Sequence, residues 1–130
     1  MTGEARAPRV VVLADDLIWA TRLVDGVRRA SADPVPARTA SSFASALAGA
    51  DGAIVDLTAR AYDGIAALGV AHSAAVPVIA VGQHDDVEAR RAAKAAGASK
   101  VYAYRALFEH GDRELSAWIR TVGGHEEGER

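Results

Sequence analysis

Apolar residues along this chain fall into short unbroken runs separated by stretches of helical period. Val10 to Ala14 is such a run, rich in β-branched side chains, and predicts a strand covered on both faces. From Leu17 to about Ala30 the spacing changes. Trp19, Leu23 and Val27 share one stripe while Arg22, Asp25 and Arg28 fall elsewhere, which predicts a helix. A segment around Val35 to Arg38, with Pro34 and Pro36 beside Val35, reads as a weak edge strand, because proline cannot donate to a central ladder. Ser41 or Ser42 is placed to cap a helix running to Ala48, and Gly52 to Val55 gives another buried strand ending at Asp56. Tyr62 to Ser73 reads as a helix weakened by Gly64 and Gly69, after which Pro77 introduces a strand through Val81. Asp85 or Asp86 caps an Ala-rich helix from Val87 to Ala96, and Gly97 supplies its left-handed stop. Lys100 to Ala103 is a fifth short strand, and Leu115, Trp118, Ile119 and Val122 mark the buried stripe of a last helix.

Five strands alternating with five helices imply parallel strands joined by right-handed crossovers. The expected fold is an α/β doubly wound sheet in the order 2-1-3-4-5 with helices on both faces. The expected organisation is a flexible start over residues 1–8, one domain over residues 9–122 and a polar tail over residues 123–130. A chain of 130 residues, 50% of them apolar, has enough material for one substantial core. A formal charge of −2 gives no cationic field for nucleic acid and no polybasic patch for a membrane surface, so neither partner is expected. The chain has no cysteine, which removes thiolate chemistry and cysteine-based metal sites and fits a reducing compartment. No apolar run approaches the roughly 20 residues of a membrane helix, and the opening residues lack the apolar core of a signal peptide. The expected location is the cytoplasm.

In such sheets the functional crevice lies outside the carboxyl ends of the strands. Asp15 and Asp16 follow the first strand and Asp56 follows the third, and the expected order makes those strands neighbours. Each acid also has a plainer reading: Asp16 as the cap of the first helix, Asp56 as the start of a loop. Gly82-Gln83-His84 could offer backbone amides and an imidazole to a ligand or could be a solvated loop. His72, His110 and His125 are too far apart for a zinc pattern. Arg90, Arg91 and Lys94 read either as a solvated helix face or as a partner surface. Trp118 completes an apolar stripe and is assigned to the core. There is no glycine-rich phosphate loop, no Gly-x-Ser-x-Gly elbow and no Asp-x-His-x-x-Gly cobalamin signature, so an independent metabolic enzyme is the weakest reading.

From about Arg9 to Val122 the sequence resembles the receiver domain of bacterial response regulators. The likeness rests on Val12-Leu13-Ala14-Asp15-Asp16, Ala53-Ile54-Val55-Asp56-Leu57, Pro77-Val78-Ile79-Ala80-Val81 and Ala95-Ala96-Gly97-Ala98. It implies the flavodoxin-like form of the sheet, with Asp56 as phosphoryl acceptor and Asp15, Asp16, Asp56 and the Thr58 backbone carbonyl around Mg²⁺. That chemistry is coherent: a hard cation relieves the repulsion among clustered carboxylates and neutralises an incoming phosphoryl group. The departures lie opposite. Gly82 stands where the family has a Ser or Thr, and Arg60 replaces a proline usual after the acceptor. Counting from Gly97 puts Tyr104 and Arg105 at the family's Lys-Pro pair, whereas a loop one residue longer puts Arg105 in the lysine slot and Tyr102 in that of the aromatic switch residue. Gly82 and Arg105 are therefore the candidates for phosphoryl contact.

Three functions are carried forward. The first is a stand-alone receiver-like module, degenerate at its phosphoryl site, that contacts a kinase, an effector or a second copy through Arg90, Arg91, Lys94, Tyr102 and Tyr104. The second is a regulator phosphorylated on Asp56 with Mg²⁺. The third is an anion- or nucleotide-binding domain using loop amides near Gly82.

Overall fold

The computed structural model describes residues 6–83 and 86–124. The expectations for His84, Asp85, His125 and most of the polar tail and flexible start lie outside these residues. Five parallel strands form one sheet in the order β2-β1-β3-β4-β5, namely β1 (Arg9–Leu13), β2 (Asp33–Ala37), β3 (Gly52–Asp56), β4 (Val78–Gly82) and β5 (Val101–Ala103). This is the architecture and order that the alternation predicts.

The two edges are made differently. In β2 the backbone N–H of Asp33 donates to Pro8 and the carbonyl of Ala37 accepts from Ala14, so the odd positions face β1. Pro34 and Pro36 fall between them, and their missing N–H groups lie on the free side. The opposite edge, β5, has only three residues, all half-buried. Near the start, Arg6 ion-pairs with Asp51 at 3.1 Å and Pro8 accepts from Asp33.

Helices cover both faces. Val11, Leu13, Ala53, Val55, Val78 and Ala80 pack beneath α2 (Ala40–Ala46), α3 (Gly64–Ser73) and α4 (Val87–Ala96). Val10, Val12, Ile54, Ile79 and Val81 pack beneath α1 (Leu17–Arg29), α5 (Tyr104–Phe108) and α6 (Arg113–Gly124). The period of two along each strand thus divides the core into two layers.

Local chemistry sets the helix starts, and some differ from expectation. Thr39, not Ser41 or Ser42, caps α2: its side chain accepts from the Ser42 N–H, and the Ser42 hydroxyl accepts from the Thr39 N–H. Asp63 caps α3, which leaves Tyr62 in the preceding loop and not in the helix. Asp86 caps α4, and Gly97 ends it at φ 124°, where a Cβ would also meet His72 Cβ at 2.6 Å. After β5 the chain does not run on as a loop. It turns at once into the five-residue α5, a sixth helix where five were expected, burying Tyr104 and Leu107 at helical spacing. In α6, Leu115, Trp118, Ile119 and Val122 are all buried, as the stripe predicts.

Candidate functional site

Pairing of β1 with β3 brings the loops carrying Asp15, Asp16 and Asp56 to one edge of the sheet. What each carboxylate does there differs. Asp16 Oδ1 accepts from the backbone N–H of Ile18 at 2.9 Å and of Trp19 at 3.1 Å, which fixes it as the N-cap of α1. Asp15, half-buried, accepts from the Ala61 N–H at 3.2 Å through Oδ2, while its carbonyl accepts from the Arg38 guanidinium at 3.1 Å.

Asp56 is the one acidic side chain fully buried among the described residues. It continues the alternation of β3, so it points to the layer of Ile54 and Tyr104 and away from Val55. Oδ1 accepts from both the N–H and the hydroxyl of Thr58, at 2.9 Å and 2.7 Å. Oδ2 is buried without a partner, and so is the hydroxyl of Tyr104. The two groups are neighbours, and the Tyr104 hydroxyl favours the ionised form of Asp56 while Asp56 disfavours that of Tyr104. Burial holds the Asp56 carboxyl above the usual carboxylate range, against the pull of the Thr58 bonds, and the charge of Asp15 adds to the rise. Burial and the neighbouring Asp56 likewise hold the Tyr104 hydroxyl neutral, well above the usual tyrosine range.

Aromatic side chains build the walls. The Tyr104 ring stacks on Trp19 with centroids 3.8 Å apart, and Phe108 lies 6.5 Å from both rings. Arg22 sits over the outer part of this column, 5.1 Å from the Trp19 ring. On the other side the Tyr62 hydroxyl lies 2.7 Å from the Asp56 carbonyl and 3.0 Å from the Leu13 carbonyl. One buried hydroxyl, with a single proton to donate, is thereby shared between the carbonyls that end β1 and β3. Neither Tyr62 nor Trp19 stands out as a site residue in the sequence, where the one reads as a helix residue and the other as part of a core stripe.

The acidic set implied for Mg²⁺ does not fit a bound cation in this arrangement. Among the described residues no three acidic or imidazole side chains converge in a way that could hold a metal. Asp16 spends one oxygen on its helix, and the second oxygen of Asp56 is buried beside Tyr104. After β5, Tyr104 lies beside Asp56, while Arg105 is exposed on α5. Gly82 ends β4 half-buried, and a Cβ there would meet nothing within 4 Å, so the backbone itself does not demand a glycine. Gly82 lines a cavity of about 210 Å³ with Leu57, Thr58, Arg90 and Val101, a cavity that none of the three aspartates lines. A larger cavity, about 700 Å³, lies at the opposite edge of the sheet under α6, away from the carboxyl ends where such folds place chemistry.

Of the expected partner surface, Arg91 and Lys94 are exposed on α4. Arg90 is half-buried, with its guanidinium on the Val101 carbonyl at 2.9 Å. Tyr102 is half-buried, its hydroxyl held above the usual range by burial and by the charge of Glu114. Tyr104 is only 2% exposed, because the turn of α5 rotates it inward, and it cannot belong to that surface.

No protein-family model and no curated protein sequence matches the chain. Solved structures do match in fold. The CheY-like response regulator receiver domain protein from Methanospirillum hungatei superposes with a TM-score of 0.77 at 18% identity, over 95% of this chain and 99% of that one. A receiver domain protein from Clostridium thermocellum gives a TM-score of 0.77 at 15% identity, over 95% and 99%. A response regulator from Burkholderia pseudomallei, solved with a phosphorylated aspartic acid, a calcium ion and citrate, gives 0.74 at 14% identity, over 94% and 72%. The chain has the fold of response regulator receiver domains.

Proposed function

We propose that this chain is a signalling module of receiver fold that acts by protein contact, with Asp56 withheld from phosphoryl transfer. The observation that carries the reading is the state of the Asp56 carboxyl. One oxygen is committed to Thr58, the other is enclosed against the Tyr104 hydroxyl, and neither is exposed. An acceptor carboxylate must present an ionised oxygen in line with the incoming phosphorus. Here burial favours the neutral acid and the aromatic column occupies the approach. Mg²⁺ would have to reach an Asp56 carboxyl that is fully buried beside Tyr104.

Contact then falls to the exposed surface. Arg91 and Lys94, with Val87 66% exposed at the start of the same helix, offer a mixed basic and apolar face for a kinase, an effector or a second copy. A nucleotide is a poorer reading of this edge, since about 210 Å³ is below the roughly 300 Å³ at which ordinary ligand pockets begin.

The test is incubation with Mg²⁺ and a small acyl phosphodonor, followed by intact mass, with Asp56→Asn as control. The expected result is no Asp56-dependent gain of a phosphoryl group. A stoichiometric gain in the wild type that Asp56→Asn abolishes would overturn the reading in favour of a phosphorylated regulator.

A further inference from the structure

We propose that the groove between α1 and β2 is a docking site for an amphipathic helix of a partner protein, one that carries acidic side chains beside its apolar face. The inference rests on the contact reading above and gives it a second surface, apart from α4, with a partner of stated chemistry. Leu17 and Ile18, the first two residues of α1, are 66% and 69% exposed. Large apolar side chains left adjacent in water mark a contact surface when they border a groove. Leu17 opens such a groove. A cavity of about 310 Å³ runs along α1 against the end of β2, with Leu17, Ala20, Val24 and Pro36 among its walls.

The edge strand and the rim together choose the occupant. Pro34 and Pro36 take the N–H groups from the free side of β2, so a partner strand cannot complete a ladder there. The visitor must arrive with its own backbone bonds made, as a helix does. Between Leu17 and Arg28 the groove follows α1 for about 16 Å, or about three helical turns. The rim supplies the sign. Of the three charged residues along the groove, Asp25, Arg28 and Arg38, two are arginines. Asp25 lies 3.7 Å from Arg28, and Arg38 spends one N–H on the Asp15 carbonyl. The surplus positive charge attracts carboxylates and repels a basic helix. A second copy is a poorer occupant through α4, where Arg90, Arg91 and Lys94 stand against one acid, Glu88.

The test uses the full chain, labelled with nitrogen-15, and two synthetic helical peptides that share one row of leucines. They differ only in the flanking residues, glutamate in one and lysine in the other. The glutamate peptide should shift amide signals along α1 from Leu17 to Arg28 and at Ala37 and Arg38. It should bind at least about tenfold more tightly than the lysine peptide. Leu17→Ser and Arg38→Glu should each lower its affinity at least about tenfold, whereas Val70→Ser, which removes an exposed apolar side chain from α3, should leave it unchanged. Leu17 and Arg38 are both exposed, so these variants keep the fold, and the shift map on the wild type needs no variant. Vesicles of phosphatidylglycerol and phosphatidylcholine are the third probe and should leave the same signals unmoved. The groove is overturned as an acidic-helix site if the glutamate peptide does not bind, if both peptides bind equally, or if the shifts centre away from α1. Signals moved by the vesicles, or a wild-type dimer that Leu17→Ser dissociates, would overturn it too. The two readings fail separately. A phosphoryl gain on Asp56 sinks contact-only signalling and leaves the groove, whereas a chain blind to the glutamate peptide sinks the groove and leaves the α4 face standing.

Discussion

Asp56→Asn is expected to make the fold more stable at neutral pH, by about 1–3 kcal/mol. Two physical effects point the same way. The aspartate places a carboxyl in a fully buried position, where burial raises its pKa against the bonds it accepts, and ionising such a group away from water is costly. Asparagine has nearly the same shape. Its carbonyl can keep the bonds from Thr58, and its amide can donate to the Tyr104 oxygen.

The sign of the pH dependence follows from the direction of the Asp56 shift. Because the folded-state pKa is raised, the folded protein holds more protons than the unfolded one above about pH 3.9, the ordinary aspartate value. Stability from this group is fully present below that pH and is lost as pH rises through the folded value. Asp112 moves the other way, since Arg29 holds it below the usual range, so the raw profile of the wild type mixes opposing effects. The difference between Asp56→Asn and wild type isolates Asp56. In chemical unfolding it should be smallest near pH 4 and grow toward neutrality. A constant difference, or a wild type more stable than the variant at neutral pH, would contradict the buried-acid account.

Trp118→Ala is expected to cost about 3–5 kcal/mol. The indole is 6% exposed and lies over the start of β3, where its Cη2 would sit 3.0 Å from a Cβ placed on Gly52. The ring and the glycine are therefore matched: Gly52 is small because Trp118 is large. That match makes a second, sharper expectation. Gly52→Ala should destabilise the wild type but be relieved in the Trp118→Ala background, with a coupling of about 0.5–3 kcal/mol. Denaturant unfolding of the four proteins measures it, and strict additivity would remove the claimed contact.

Much of this fold was legible because its elements obey simple periods. The runs at Val10, Gly52 and Pro77 are covered on both faces, and the Leu115 to Val122 stripe lands in the core residue by residue. Pro34 and Pro36 read correctly as an edge because the missing donors allow nothing else. Capping was less legible at α2, where Thr39, Ser41 and Ser42 all have the chemistry and only the reciprocal bonds single out Thr39.

The site was half legible. Adjacent strand ends do bring Asp15 and Asp56 to one edge, yet a carboxylate after a strand serves equally as a ligand or a helix cap, and Asp16 became a cap. Tyr104 was misread as surface because five residues are too few to announce a helix by period. Leu107, three positions on, was the signal for it. Tyr62 was missed for a different reason: its role depends on two carbonyls, of Leu13 and Asp56, whose meeting is a property of strand pairing and not of local sequence.

The claim on which the rest turns is that Asp56 is enclosed by the chain's own side chains. Carbon-13 NMR of the Asp56 carboxyl, assigned by Asp56→Asn and followed across pH with and without Mg²⁺, tests it directly. The account predicts a transition above that of an exposed aspartate, unchanged by Mg²⁺. A carboxyl that titrates in the ordinary range and shifts on addition of Mg²⁺ would contradict it.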